Sequence, residues 1–125
     1  MSLALVLVLV GGAIGAPLRY LTDLLVQARH DSVFPWGTFT VNIAGSLVLG
    51  ALLGAASTGA VPEAVVTFAG TGVCGALTTF STFGFETVRL LEEGSVAAAL
   101  ANAVGSLAIG LLAGAAGWVI AAALA

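Results

Sequence analysis

From Ala64 to Leu91 the chain reads AVVTFAGTGVCGALTTFSTFGFETVRLL, an apolar run whose middle, Gly75-Ala76-Leu77-Thr78-Thr79-Phe80-Ser81-Thr82-Phe83, gathers glycine, hydroxyls and two phenyl rings. A bilayer core of about 30 Å takes roughly 20 helical residues, so those hydroxyls fall near its centre. Gly70, Gly72 and Gly75 precede the β-branched pair Thr78-Thr79. Helix propensity is therefore poor where an interrupted hydrogen-bond ladder costs most. Two readings fit. The helix is broken here, its backbone buried in protein or lining an ion site, with freed carbonyls suited to a hard monovalent cation. Alternatively, it runs unbroken and its threonine and serine hydroxyls bond their own i−4 carbonyls.

Three further stretches of similar length flank this one, at Leu3–Leu25, Phe34–Ala56 and Ser95–Ala123, separated by Arg29-His30-Asp31-Ser32, by Ser57-Thr58-Gly59 before Pro62-Glu63, and by Glu92-Glu93-Gly94. The expected fold is an all-α membrane protein, one four-helix transmembrane domain over residues 1–125 with spans near 3–25, 34–56, 64–91 and 95–123. Met1-Ser2-Leu3 puts no basic flank ahead of the first apolar run, so that segment is expected to be a retained span and not a cleaved signal. The expected location is the inner (plasma) membrane, crossed several times. Arg29 and Arg89 lie on the side of the first and third loops. A strict positive-inside count places that side in the cytoplasm, but two charges with acids beside them leave both insertions open.

The composition agrees: 125 residues, 60% hydrophobic and 7% charged, with a mean hydropathy of +1.18. That is too little polar surface to cover a soluble domain. Three arginines, no lysine and a formal charge of −3 supply no basic patch for a phosphate backbone, so nucleic acid is not an expected partner. Cys74 has no second thiol and His30 is the one imidazole. Neither a zinc site nor a nucleophile–histidine pair can be assembled, and an enzyme is not expected.

Sliding the chain by 60 residues aligns Asn42-Ile43-Ala44-Gly45-Ser46-Leu47 with Asn102-Ala103-Val104-Gly105-Ser106-Leu107, and Gly12-x-x-Gly15-Ala16 with Gly72-x-x-Gly75-Ala76. This offset suggests a duplicated two-helix unit. On the second span Thr38, Asn42, Ser46, Gly50 and Gly54 recur every four residues, as do Asn102, Ser106, Gly110 and Gly114 on the fourth. Each set forms one stripe along its helix. Small residues let backbones approach, so the glycines read as packing. An asparagine in hydrocarbon needs partners, which leaves packing glue and a ligand track both open for the polar members. Phe80 and Phe83 share a face of the third span; rings presented edge-on favour an anion without offering a full charge.

Gly12-x-x-Gly15-Ala16-x-x-Arg19-Tyr20, Gly37-Thr38-x-x-Val41-Asn42-x-x-Gly45-Ser46 and Gly72-x-Cys74-Gly75-x-x-Thr78-Thr79-Phe80-Ser81-Thr82-Phe83 together resemble the signature of the Fluc fluoride channels, the CrcB family. The resemblance implies a dual-topology dimer of four-helix subunits packed antiparallel, with the third helix broken at mid-membrane and two fluoride pores. It implies a structural sodium ion (Na+) at the central interface, held by backbone carbonyls that by position are those of Gly75 and Thr78. Phe80 and Phe83 would be the pore phenylalanines, Asn42 a donor to the ion, and Arg19 a vestibule arginine. On the fourth span the family often has tyrosine one turn before a serine, where this chain has Asn102 before Ser106. The second subunit would be another copy or a sister subunit of opposite orientation.

The chemistry of such a pore suits these residue types. Fluoride is a strongly hydrated acceptor, so its water must be replaced by donors: the Asn42 amide, hydroxyls at Thr38, Ser46, Thr79 and Ser106, and ring edges. The resemblance implies passive, fluoride-selective export across the lipid bilayer that limits fluoride toxicity. The alternative is a small dual-topology, proton-coupled exporter of cationic compounds, which needs a titratable carboxylate deep in the bundle. Asp23 and Glu86 stand nearer span ends.

Overall fold

The computed structural model describes residues 2–125. Five helices follow one another: α1 (Leu3–Gln27), α2 (Trp36–Ser57), α3 (residues 63–77), α4 (Phe80–Glu92) and α5 (Val96–Leu124). α1, α2 and α5 each cross a bilayer alone, whereas α3 and α4 make up the third span between them. The protein is a multi-pass membrane protein with four spans, as the apolar runs require, and the third is interrupted.

Local chemistry fixes the ends. Ser2 caps α1, its hydroxyl accepting from Leu5 N–H at 3.2 Å. Gly59 and Gly94 both have φ of +81°, the left-handed backbone that a Cβ disfavours. At the first, Ala60 N–H reaches Ala55 O and Gly59 N–H reaches Ala56 O; at the second, Ser95 N–H reaches Leu90 O and Gly94 N–H reaches Leu91 O. These are Schellman closures, which satisfy the last carbonyls of α2 and α4 before the chain turns back.

The small residues then decide which helices touch. A methyl added to Gly50 would land on the Gly114 carbonyl, one on Gly54 on that of Trp118, and one on Gly117 on that of Leu47. α2 and α5 therefore meet backbone to backbone, and the glycine ends of both stripes are packing surface. α1 approaches α3 in the same way: Gly11 lies against Phe68 and Gly72, and Gly15 against Val73. Leu3 and Glu63 open equivalent first helices, and Trp36 and Val96 equivalent second ones, the 60-residue offset seen in the sequence.

Part of α3 is wound unexpectedly. Val66–Cys74 forms a π-helix, whose wider turn carries Gly75 N–H back to Gly70 O. Such turns are rare and collect at functional sites. Propensity reasoning placed poor helix just before Thr78 but gave no sign of the wider winding, because the glycines that permit it equally permit an ordinary turn. Outside this frame the surface is apolar, with Leu111 and Leu124 among many exposed side chains, the composition that acyl chains require.

Candidate functional site

The break lies at Thr78 and Thr79, both extended, with φ/ψ of −81°/157° and −150°/122°. A continuous helix would send Thr79 N–H to the Gly75 carbonyl and Thr82 N–H to that of Thr78. Instead Thr79 N–H donates to Asn42 Oδ1 at 2.7 Å, and Thr82 N–H donates to Thr79 Oγ1 at 3.2 Å. Asn42 Nδ2 completes the pair by donating to Thr79 O at 2.9 Å. One amide thus replaces a missing turn of ladder, its orientation fixed because a peptide N–H only donates and a carbonyl only accepts. The carbonyls of Gly75 and Thr78 lose their i+4 partners as a result. Meanwhile Thr78 Oγ1 turns back to Cys74 O at 2.9 Å, the i−4 bond that an intact helix would also allow.

Two cavities meet at this break, and Thr79 borders both. The larger, about 540 Å³, is lined by Asn42, Ser46, Thr79, Phe80, Phe83 and Ser106, and by Gly75 and Thr78. The smaller, about 310 Å³, is lined by Arg19, Thr38, Thr79 and Thr82 together with Tyr20 and Asp23. Sequence reasoning named one set of residues; the fold divides it, with Arg19 and Thr38 on one side of Thr79 and the rings and the remaining donors on the other. The Phe80 and Phe83 rings lie 5.7 Å apart at 45°. Phe83 is 9% exposed and Phe80 79% exposed, so one ring is seated within the chain and the other stands out from it.

Most hydroxyl protons in the site already have owners. Thr38 donates to Glu86 Oε1 at 2.5 Å, both residues buried. Thr79 donates to Thr82 Oγ1 at 3.1 Å, with Ser81 Oγ at 3.3 Å. Ser106 donates to Asn102 Oδ1 at 3.1 Å. The second N–H of the Asn42 amide and the Ser46 hydroxyl have no acceptor among the described residues and both side chains border the larger cavity. Asp23 Oδ1 is buried without a hydrogen-bond partner among the described residues, close against Gly37. The sequence reading put Asn102 on a stripe open to packing or a ligand track, and Asp23 and Glu86 near span ends. It gave no sign of their burial, nor that Glu86 and Asn102 have partners on another helix.

Comparison with known proteins gives the family. Residues 6–118 match the model of the CrcB-like protein family, described as camphor resistance (CrcB). The chain belongs to the CrcB family. It is 58% identical over 105 residues to "Fluoride-specific ion channel FluC 1" of Streptomyces avermitilis, covering 84% of this chain and 85% of that one. It is 59% identical over 106 residues to the protein of the same name from Frankia casuarinae, covering 81% and 82%. With the Thermobifida fusca protein of that name the identity is 46% over 116 residues, covering 87% and 92%. The CrcB match takes in all but the first three residues of α1, α2 to α4 whole and most of α5, so both cavities and the break lie inside it.

Proposed function

We propose that this CrcB protein is a fluoride-selective channel that passively exports cytoplasmic fluoride and so limits its toxicity. One observation carries the reading: at a mid-span break, an amide, hydroxyl side chains and two phenyl rings line a cavity that has no arginine in its wall. A desolvated halide needs donors, and partial charges hold it less tightly than a guanidinium would, so it can leave again. Asn42 offers its second N–H and Ser46 its hydroxyl. Ser106, Thr79 and Thr38 each take part by exchanging an internal acceptor for the ion, a trade that favours the strongest acceptor. Phe80 and Phe83 supply ring edges, and Arg19 gathers anions at the vestibule of the smaller cavity.

The working unit in this reading is an antiparallel dimer, of two copies or of this chain with a sister subunit of opposite orientation. Support comes from Phe80, a pore ring left largely bare by its own chain, and from the sparse arginines, which bias insertion weakly. Sodium is the expected structural ion. Peptide oxygens are hard donors suited to a hard cation, and Gly75 and Thr78 have carbonyls released from the ladder. Two such oxygens are few for one ion, and a second subunit would double them. Bound there, sodium would supply a fixed positive charge and tie the subunits together.

Purified protein in fluoride-loaded liposomes tests the function. Fast efflux that sets the membrane potential and ignores the proton gradient is expected. Strict coupling to protons would overturn it in favour of an exporter, for which Glu86, buried against Thr38, would be the titratable group.

A further inference from the structure

Asn102 is 1% exposed, one of the most deeply buried side chains of the protein. Its Nδ2 donates to Thr87 Oγ1 at 2.8 Å, and Thr87 in turn donates to the Phe83 carbonyl at 2.8 Å. Ser106 donates to Asn102 Oδ1 at 3.1 Å. The sense of this relay is fixed at one end. A carbonyl can only accept, so Thr87 spends its proton on Phe83 and must receive from Asn102; the amide then turns its oxygen to Ser106. The relay joins α5 to the backbone of α4 at the residue whose ring is seated in the larger cavity. Asn42, 60 positions earlier, ties α2 to Thr79, the cap of the same half-helix.

We infer that Asn102 is a positioning residue for Phe83: acting through Thr87, it sets where α4 presents that ring to the permeating ion. The inference rests on the channel reading above for its functional consequence, though not for the contact itself. α4 is short, and its own ladder stops at the break, so its placement depends on side-chain ties to α2 and α5. Asn42 and Thr38 tie it to α2, at Thr79 and at Glu86, and Asn102 ties it to α5 at Thr87. Ties on two sides hold a rod in direction, where ties to α2 alone would leave it free to swing away from α5.

The test uses full-length protein with two readouts, fluoride efflux from liposomes and hydrogen exchange of α4 amides in detergent. Thr87→Val keeps the side-chain shape and removes the hydroxyl, whereas Thr87→Ser keeps the hydroxyl and removes a methyl. Thr87→Val and Asn102→Leu should each slow efflux about tenfold, the rate equivalent of one buried hydrogen bond, and speed exchange between Phe83 and Thr87. The double variant should be no slower than either single one, since both cut the same relay. Thr87→Ser should match the parent in both readouts. Normal efflux and exchange in Thr87→Val, or a defect in Thr87→Ser as large as that in Thr87→Val, would overturn the inference by showing that the site only packs. Should Asn102→Leu fail to fold, the Thr87 pair decides. A parent protein that carries no fluoride would defeat the channel reading instead, and the exchange comparison would still judge the relay.

Discussion

The seam between α2 and α5 and the break between α3 and α4 are built from the same sparse vocabulary of glycine, hydroxyl and amide, yet they do opposite things. At the seam, Gly50, Gly54 and Gly117 bring continuous helices so close that an added methyl would strike a backbone carbonyl. Every ladder stays intact and nothing is left to bind. At the break, Asn42 and Thr79 take the N–H groups of Thr79 and Thr82, which strands carbonyls and opens a cavity. The difference teaches that a small residue in a membrane helix joins, while a polar one that captures a peptide N–H unmakes the helix beside it.

Substitutions can break or sharpen this contrast, and the largest effect should come from the seam. Gly50→Leu places a branched side chain where only backbone stands opposite, with no flexible group to yield. Destabilisation of about 3 kcal/mol or more is expected, read as loss of the folded peak in size-exclusion chromatography of detergent extracts. Intact protein with an unchanged melting temperature would show that α2 and α5 can part without harm.

At the break, Asn42→Asp should act on transport. The ionised carboxylate accepts from Thr79 N–H but cannot donate to Thr79 O, and it adds negative charge to the cavity wall. Fluoride efflux should fall about a hundredfold, the sum of a lost buried donor and anion repulsion. Unaltered efflux would remove Asn42 from the pathway and leave it as a helix clamp alone.

A smaller change is expected from the rings. Phe83→Ile keeps apolar volume and discards the polar ring edge, so flux should drop about tenfold while the elution volume holds. Phe80→Ile should do the same, and equal flux in both variants and parent would show that the rings only pack. The smallest effect belongs to Gly105→Ala, on the same helix as the seam but with no atom within 4 Å of an added methyl. It should leave efflux alone and raise stability by no more than about 1 kcal/mol through helix propensity; a loss of stability there would mean that α5 packs more widely than its glycine contacts indicate.

Much of the fold was legible along the chain. The four apolar runs lie within a few residues of the helices, and Gly59 and Gly94 close turns where the polar punctuation fell. The interruption at Thr78-Thr79 was one of two open readings, and the structure chooses it. The stripes were only half readable. Spacing put Asn42 beside Ser46 and Gly50, and Asn102 beside Ser106 and Gly110, on single faces, but a face reaches more than one neighbour. Thr38 meets Glu86, Asn42 meets Thr79, and Asn102 meets Thr87.

By itself, then, the sequence determined what lipid imposes: span number, turn positions and a weak place in the third span. Each follows from solvation and from local backbone preference, which act on neighbours along the chain. Only the tertiary structure decided which peptide groups the polar side chains would take, that the carbonyls of residues 75–78 would lose their i+4 partners, and that the expected residues would divide between two cavities at Thr79. Those outcomes depend on how helices rotate and cross, and a hydrogen bond a few tenths of an ångström too long goes to another partner.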